Sequence, residues 1–332
     1  MSRRAWLGLW IAAAALIVPV AHLALGRGVD WSELLAGTDT VSWRVLTELR
    51  LPRLVVALFA GTALGLAGLA LQSVLRNPLA APELTAVNPS AVLGYLIASG
   101  TGLIDGGSVF SSVLSATVGG LLGGGLLWLV AHRRTSEQTA VLGLLSALAL
   151  TGVVTILIAA RPTGVGGALR WLIGSVEARV AEHVPMIAIP VLAGFVALVL
   201  VADRLEILAV SDSHAHCLGV SPGFWRGVGI GIAVLLASAA VATVGPLAFV
   251  GFVAPHVVRL VFGGRLRRQV VLVAVCGGLF VAASDLIAKA VSLAIQLTGD
   301  GQQVGVPVGA VTCLIGAAAL VAVASSHQES EP

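Results

Sequence analysis

Charge is what this sequence lacks most. Of 332 residues, 11% are Asp, Glu, Lys or Arg and 58% are hydrophobic, where a soluble domain carries roughly 25% charged residues. So few polar side chains cannot cover a soluble fold of this length. Lysine is nearly missing: 18 of the 19 basic residues are arginines, and Lys289 is the other. A P-loop needs Gly-x-x-x-x-Gly-Lys-[Ser/Thr], and Lys289 lies in Ala-Lys-Ala, so the chain cannot hydrolyse ATP through that motif. There is no His-Glu-x-x-His. The cysteines, Cys217, Cys276 and Cys313, have no mutual spacing of a metal or redox motif and read as small apolar filler. His214 and His216, two apart, suit a strand-borne metal pair and not one helix face. Neither a metal site nor a cofactor is expected. The basic residues are scattered singly, so a net charge of +3 signals no nucleic-acid partner.

Apolar length is what the sequence has. About 20 apolar residues cross the hydrocarbon core of a bilayer. Runs of that order occupy 5–25, 54–75, 87–104, 109–131, 139–160, 184–202, 228–262, 269–297 and 306–325. The run 228–262 is too long for one span and is broken at Gly245-Pro246, which predicts one full span and one shorter helix. The expected fold is therefore all-α: a polytopic bundle of about ten spans in one transmembrane domain over 1–332. The first run follows Met1-Ser-Arg-Arg and is long for a cleaved signal segment of 7–15 apolar residues, so an uncleaved span is preferred. Trp6, Trp10, Trp31, Trp43, Trp128, Trp171 and Trp225 fall near run ends or in connections, and Trp is favoured at headgroup level.

With the N-terminus cytoplasmic, 11 of the 19 basic residues fall on the cytoplasmic side and eight outside, a weak bias toward that orientation. Both termini are then cytoplasmic. Glycine is abundant at 40 residues, and Gly61-x-x-x-Gly65, Gly119-x-x-x-Gly123, Gly120-x-x-x-Gly124 and Gly227-x-x-x-Gly231 are expected helix contacts. The external connection 26–53 and the cytoplasmic connection 203–227 are long and polar. The second suits two short surface helices around Ser221-Pro222-Gly223. Residues 326–332 form a tail.

The runs 54–75, 87–104, 139–160, 184–202 and 228–255 contain no Asp, Glu, Lys, Arg or His. Proton-coupled transporters keep ionisable groups inside their spans. The run 269–297 is an exception: it holds Asp285 and Lys289, four apart, as a possible pair on one helix face. An ion-driven secondary transporter, the alternative reading, would need buried carboxylates. An enzyme in the membrane would need clustered polar groups at one depth. The chain reads as a conduit powered by partners.

Five segments, in order over roughly 40–316, resemble the permease subunits of bacterial ABC importers for iron–siderophore, haem and vitamin B12. They are Arg50-Leu51-Pro52-Arg53 running through Gln72 to Arg76-Asn77-Pro78-Leu79-Ala80; Trp171 to Ser175; Ala215-x-x-Leu218-Gly219-Val220; Gly245-Pro246 to Gly251 with Pro255-His256-x-x-Arg259; and Asp285 to Lys289 with Pro307-Val308-Gly309. The resemblance implies a type II permease of no catalytic activity. Its partners would be a second permease subunit, two ATP-binding subunits and an extracytoplasmic substrate-binding protein.

Residue by residue, Ala215, Leu218, Gly219 and Val220 would couple to the ATPase. Arg50, Arg53 and Lys289 would meet acidic lobes of the binding protein. Asn77, Pro78, Gly245, Pro246, Pro255, His256 and Arg259 would be structural. Departures at Thr85-Ala86, Ser90-Ala91, Gly305-Val306-Pro307 and Gly316 to Ala319 hint at one half of a heterodimer, with homodimer the other possibility.

Overall fold

The computed structural model describes residues 3–26, 28–30, 32, 40–104, 108–131, 136–160, 173–298 and 305–328. Trp31, Trp171, Leu172, Arg27, Arg133, Arg134, Arg161, Arg170 and the end of the tail, 329–332, lie outside the described residues. Among those described there are eleven helices and no strand. They are α1 Arg3–Ala24, α2 Val41–Leu75, α3 Val87–Gly100, α4 Val109–Ala131, α5 Ser136–Ala159, α6 His183–Val210, α7 Asp212–Cys217, α8 Pro222–Val244, α9 Val250–Val261, α10 Leu266–Thr298 and α11 Val308–Gln328.

Ten of these match the ten apolar segments, including the split at Gly245-Pro246 into full-length α8 and short α9. Two boundaries differ from the sequence reading. The connection read as external ends at residue 40, because α2 begins at Val41 and carries a π-turn over Val45–Arg50 before its regular part Leu51–Leu75. Pro52 has no N–H for the carbonyl four residues back. The Leu51 N–H bonds instead to Leu46 O, five back, and the helix continues through the wider turn. The connection read as cytoplasmic is also shorter. α6 stays helical to Val210, so only one short helix, α7, lies between α6 and α8.

α2 and α8 are the inner helices, with 78% and 83% of their apolar windows buried, against 17% for Val141–Ala159 of α5. Their cores, with α6, α9 and α10, form one apolar cluster from Leu54 to Val308. In lipid the hydrophobic effect supplies no preference between helix and tail, so close van der Waals approach holds helices together. Glycine allows it here. A Cβ on Gly61 would overlap the Gly277 carbonyl on α10, and one on Gly68 would overlap the Gly251 carbonyl on α9. Gly119 on α4 faces Gly94 on α3, and Gly124 faces Val234 on α8. Three of the four glycine pairs thus make the expected contacts at both members; Gly231 has nothing within 4 Å, although Gly227 meets Trp128.

Gly61→Leu forces α2 from α10 at a backbone contact. It is expected to cost about 3 kcal/mol or more, read as a lower unfolding midpoint in detergent. Gly231→Leu, in open space, leaves that midpoint unchanged.

Candidate functional site

Polar side chains gather at three depths along the bundle. At one end, α1, α2 and α10 converge on Asp285. Its side chain is 1% exposed and takes a two-pronged contact from Arg53, Nε to Oδ2 and Nη2 to Oδ1, both 2.8 Å. His22 Nε2 lies 2.7 Å from Oδ2 on the same carboxylate. The Lys289 ammonium donates to the His22 carbonyl at 3.2 Å and lies 3.5 Å from His22 Nδ1. A carboxylate in the membrane is tolerated when it is paired and hydrogen-bonded, and here a guanidinium fork and an imidazole supply both needs.

Two expectations are corrected at this end. Asp285 and Lys289 do not pair along their helix face. The planar fork of Arg53 matches both carboxylate oxygens, and Lys289 turns to His22. Arg50 is not presented outward: it is 6% exposed, and Nη1 donates to the Leu23 and Ala24 carbonyls at the C-terminus of α1. It satisfies carbonyls that the end of a helix leaves open. Arg53 and Lys289 do reach a cavity of about 190 Å³, shared with Glu177, Ser292 and Gln296.

The middle layer is built around the broken helix α9. Pro255, inside α9, has no N–H to offer the Gly251 carbonyl four residues earlier. Gln72 of α2 fills that place: its Nε2 donates to Gly251 O at 3.0 Å. Arg259 Nη2 in turn donates to Gln72 Oε1, which fixes the amide's orientation. Motif positions Pro255 and Arg259 thus form one device with Gln72. His256 stacks on Phe252 with centroids 5.4 Å apart. Gly245 caps α8 at φ 78, and a Cβ on Gly174 would overlap the Pro246 carbonyl.

Gly251 packs on Gly68, about 10 Å along α2 from its end at Leu75. The start of α9 is therefore inside the membrane. Glu83, on a single 3-10 turn Pro82–Leu84, has both carboxyl oxygens buried there, facing the N–H groups of Phe249 and Gly251. The positive end of a helix favours such a group. The expectation that buried carboxylates are missing is therefore corrected by Asp285 and Glu83. Glu83 escaped notice because it lies in a connection, between two runs.

The other end of α2 carries the third layer. Ser211 caps α7, its Oγ accepting from the His214 N–H at 3.0 Å. The helix stops at Gly219, whose φ of 73 reverses the chain, and the Val220 N–H closes the turn on Ala215 O at 2.9 Å. Ala215 is fully buried and Val220 is 6% exposed, while Leu218 is 55% and Phe224 64% exposed. The four motif residues divide: Ala215 and Val220 anchor the turn, and Leu218 and Gly219 face outward. Asn77 Oδ1 accepts from the Leu79 N–H at 2.9 Å, and Asn77 O from the Ala80 N–H at 3.0 Å, so Asn77-Pro78 forms a local turn beyond α2. Asp212 lies between Arg76 Nη2 at 2.6 Å and Arg226 Nη2 at 3.0 Å. Among the described residues no group of three His, Cys, Asp or Glu is placed to hold a metal.

A family model described as the FecCD transport family matches residues 9–326. The chain is 36% identical to the Fe(3+) dicitrate transport system permease protein FecD of Escherichia coli (strain K12), over 91% of this chain and 89% of that protein. It is 33% identical to the ferric enterobactin transport system permease protein FepG of the same organism, over 83% and 81%. In three dimensions it resembles a metal-chelate type ABC transporter solved in an inward-facing conformation, with a TM-score of 0.83 at 23% identity, over 96% of this chain and 98% of the other.

The middle layer yields a reciprocal prediction. Gln72→Leu strips the Gly251 carbonyl of its donor and is expected to cost about 1–3 kcal/mol. Pro255→Ala restores the helical N–H, so Gln72→Leu with Pro255→Ala recovers part of that loss. Denaturation midpoints of the two single variants and the double variant measure the coupling; strictly additive effects would refute it.

Proposed function

The chain belongs to the FecCD transport family, and from that premise we propose that its cargo is a ferric chelate of the siderophore or citrate class. The chain is a multi-pass permease subunit of an ABC importer in the bacterial inner membrane and is not an enzyme; ATP hydrolysis falls to partner subunits. The cargo reading draws on the two Escherichia coli relatives, whose names carry ferric dicitrate and ferric enterobactin. In the full assembly two permease subunits, alike or different, enclose the pathway. Two ATPase subunits sit below, and an extracytoplasmic binding protein delivers cargo from outside. The chain works as one transmembrane domain with both termini cytoplasmic, the orientation favoured by the basic residues.

One observation supports most of the mechanism. The reversed turn at Leu218-Gly219, flanked by exposed Phe224, presents an apolar knob from a polar end of the bundle. It is the surface offered to the ATPase, held from inside by Ala215 and Val220. Closure of the ATPase on ATP pushes this knob and switches the pathway between its two openings. On the opposite side, Arg53 and Lys289 line the cavity that receives acidic groups of the binding protein; Arg50 serves that surface indirectly, by holding α1 against α2. Of the buried carboxylates, Asp285 has structural partners in Arg53 and His22 and gives no support to an ion-driven cycle, while both Glu83 oxygens are buried near the α9 N-terminus without a hydrogen-bond partner.

The defining experiment is uptake of radioactive ferric dicitrate and ferric siderophores into proteoliposomes containing the permease, its ATPase subunits and the binding protein. ATP-dependent accumulation is expected, and its absence for every ferric chelate would refute the cargo class. Gly219→Arg puts a side chain where nothing lies within 4 Å of a Cβ. It should weaken ATPase association by about 2 kcal/mol or more, read by co-purification, whereas Gly219→Asn, which tolerates a positive φ, keeps it. Lys289→Glu should slow binding-protein docking, and the defect should shrink as salt rises; docking rates indifferent to salt would refute that role.

A further inference from the structure

The outward turn is tied to the rest of the subunit through one carboxylate. Asp212, in the first turn of α7, accepts from arginines on two other helices. Arg76 Nη2 reaches Oδ1 at 2.6 Å from the end of α2, and Arg226 Nη2 reaches Oδ1 at 3.0 Å and Oδ2 at 3.3 Å from α8. α2 and α8 are the two inner helices, and α2 holds the mouth of α9 through Gln72. A displacement of α7 therefore meets both inner helices at the same atom group.

A second, independent observation marks the junction. Arg76 has φ 51 and ψ 33, the left-handed region. This is rare for a side-chain-bearing residue and persists where the surroundings over-determine it. The strain sits on the residue that grips Asp212. Arg226, with its side chain 8% exposed, also finds its acceptors on Asp212, and its Nε has no hydrogen-bond partner. The carboxylate is thus the joint at which a strained helix end, a buried cation and the outward turn meet.

We propose that Asp212 is the transmission link of this permease. Resting on the reading that the α7 turn receives the ATPase, it converts movement of α7 into concerted movement of α2 and α8. It touches no cargo and no nucleotide; it is a positioning residue. Losing its charge frees the turn to follow the ATPase while the pathway helices stay behind, which is uncoupling.

The test is the amount of ferric chelate moved per ATP hydrolysed by the complete importer in proteoliposomes. Asp212→Asn keeps the side chain's size and removes its charge. The expected complex assembles and hydrolyses ATP normally but moves roughly five-fold less cargo per ATP, and Asp212→Glu restores the ratio. Arg76→Gln, which leaves the Asp212–Arg226 pair in place, should lower the ratio in the same direction. A wild-type ratio in Asp212→Asn overturns the proposal. So does a proportional fall of assembly, hydrolysis and transport, which would make Asp212 a brace of the fold alone. If Asp212→Asn does not assemble, Arg76→Gln decides, and a normal ratio there overturns the link. Gly219→Arg runs alongside: retained ATPase association in that variant refutes the docking surface, an outcome distinct from the ratio measured in Asp212→Asn.

Discussion

In hydrocarbon a backbone N–H or carbonyl has no water to fall back on, and leaving one unpaired costs several kcal/mol. A bundle of regular helices meets this demand within each helix. This chain breaks the rule at Gly245–Phe249 and again at Pro255, and the polar interior exists to repair those breaks. Gln72 supplies the donor that Pro255 lacks. Arg259 holds Gln72, and Glu83 faces the open N–H groups at the start of α9. A broken helix inside the membrane thus has a partner on α2 and a carboxylate near its start on a connecting turn.

Close backbone contact makes those repairs possible. Gln72 reaches Gly251 because Gly68, one helical turn away, lets α9 lie against α2 without an intervening side chain. The same device at Gly61 and Gly277 brings α10 to α2 and lets Arg53 meet Asp285 a little more than two turns further on. Packing and polar pairing are one arrangement, with glycine setting the distance and the charged or amide group using it. The π-turn before Pro52 belongs to it as well, since it carries Arg50 to the open end of α1.

These contacts also order the functional parts. The cluster at Asp285 ties α1, α2 and α10, the middle layer ties α2 to α9, and Asp212 ties α2 and α8 to α7. α2 belongs to all three layers. For a permease driven by partner subunits, this gives a path from the exposed turn after α7 to the interior that needs no ionisable relay through the spans. The charge-free runs are consistent with that, since they hold no ionisable group to serve as a relay.

Most of the span pattern was legible in the sequence, because apolar length and Gly-Pro breaks act locally. The ten apolar segments, the split of 228–262 and most glycine contacts follow from such signals. Helix ends were less legible: α2 starts early because a π-turn accommodates Pro52, and α6 continues through Asp203 and Glu206 because polar residues tolerate a helix that leaves the membrane. Pairing was not legible at all. Arg50, Arg53, Asp285 and Lys289 could be picked out as exceptional charges, but their partners lie 26 to 267 positions apart. Spacing along one helix suggested Asp285 with Lys289, and the tertiary approach of α2 gave Asp285 to Arg53. By itself the sequence determined that this chain is a many-span helical membrane protein, since burying 58% hydrophobic residues with so few charges leaves no other solvent than lipid. Only the tertiary structure decided which side chain answers which broken helix, because that depends on how closely two backbones approach, and distant glycines set that distance together.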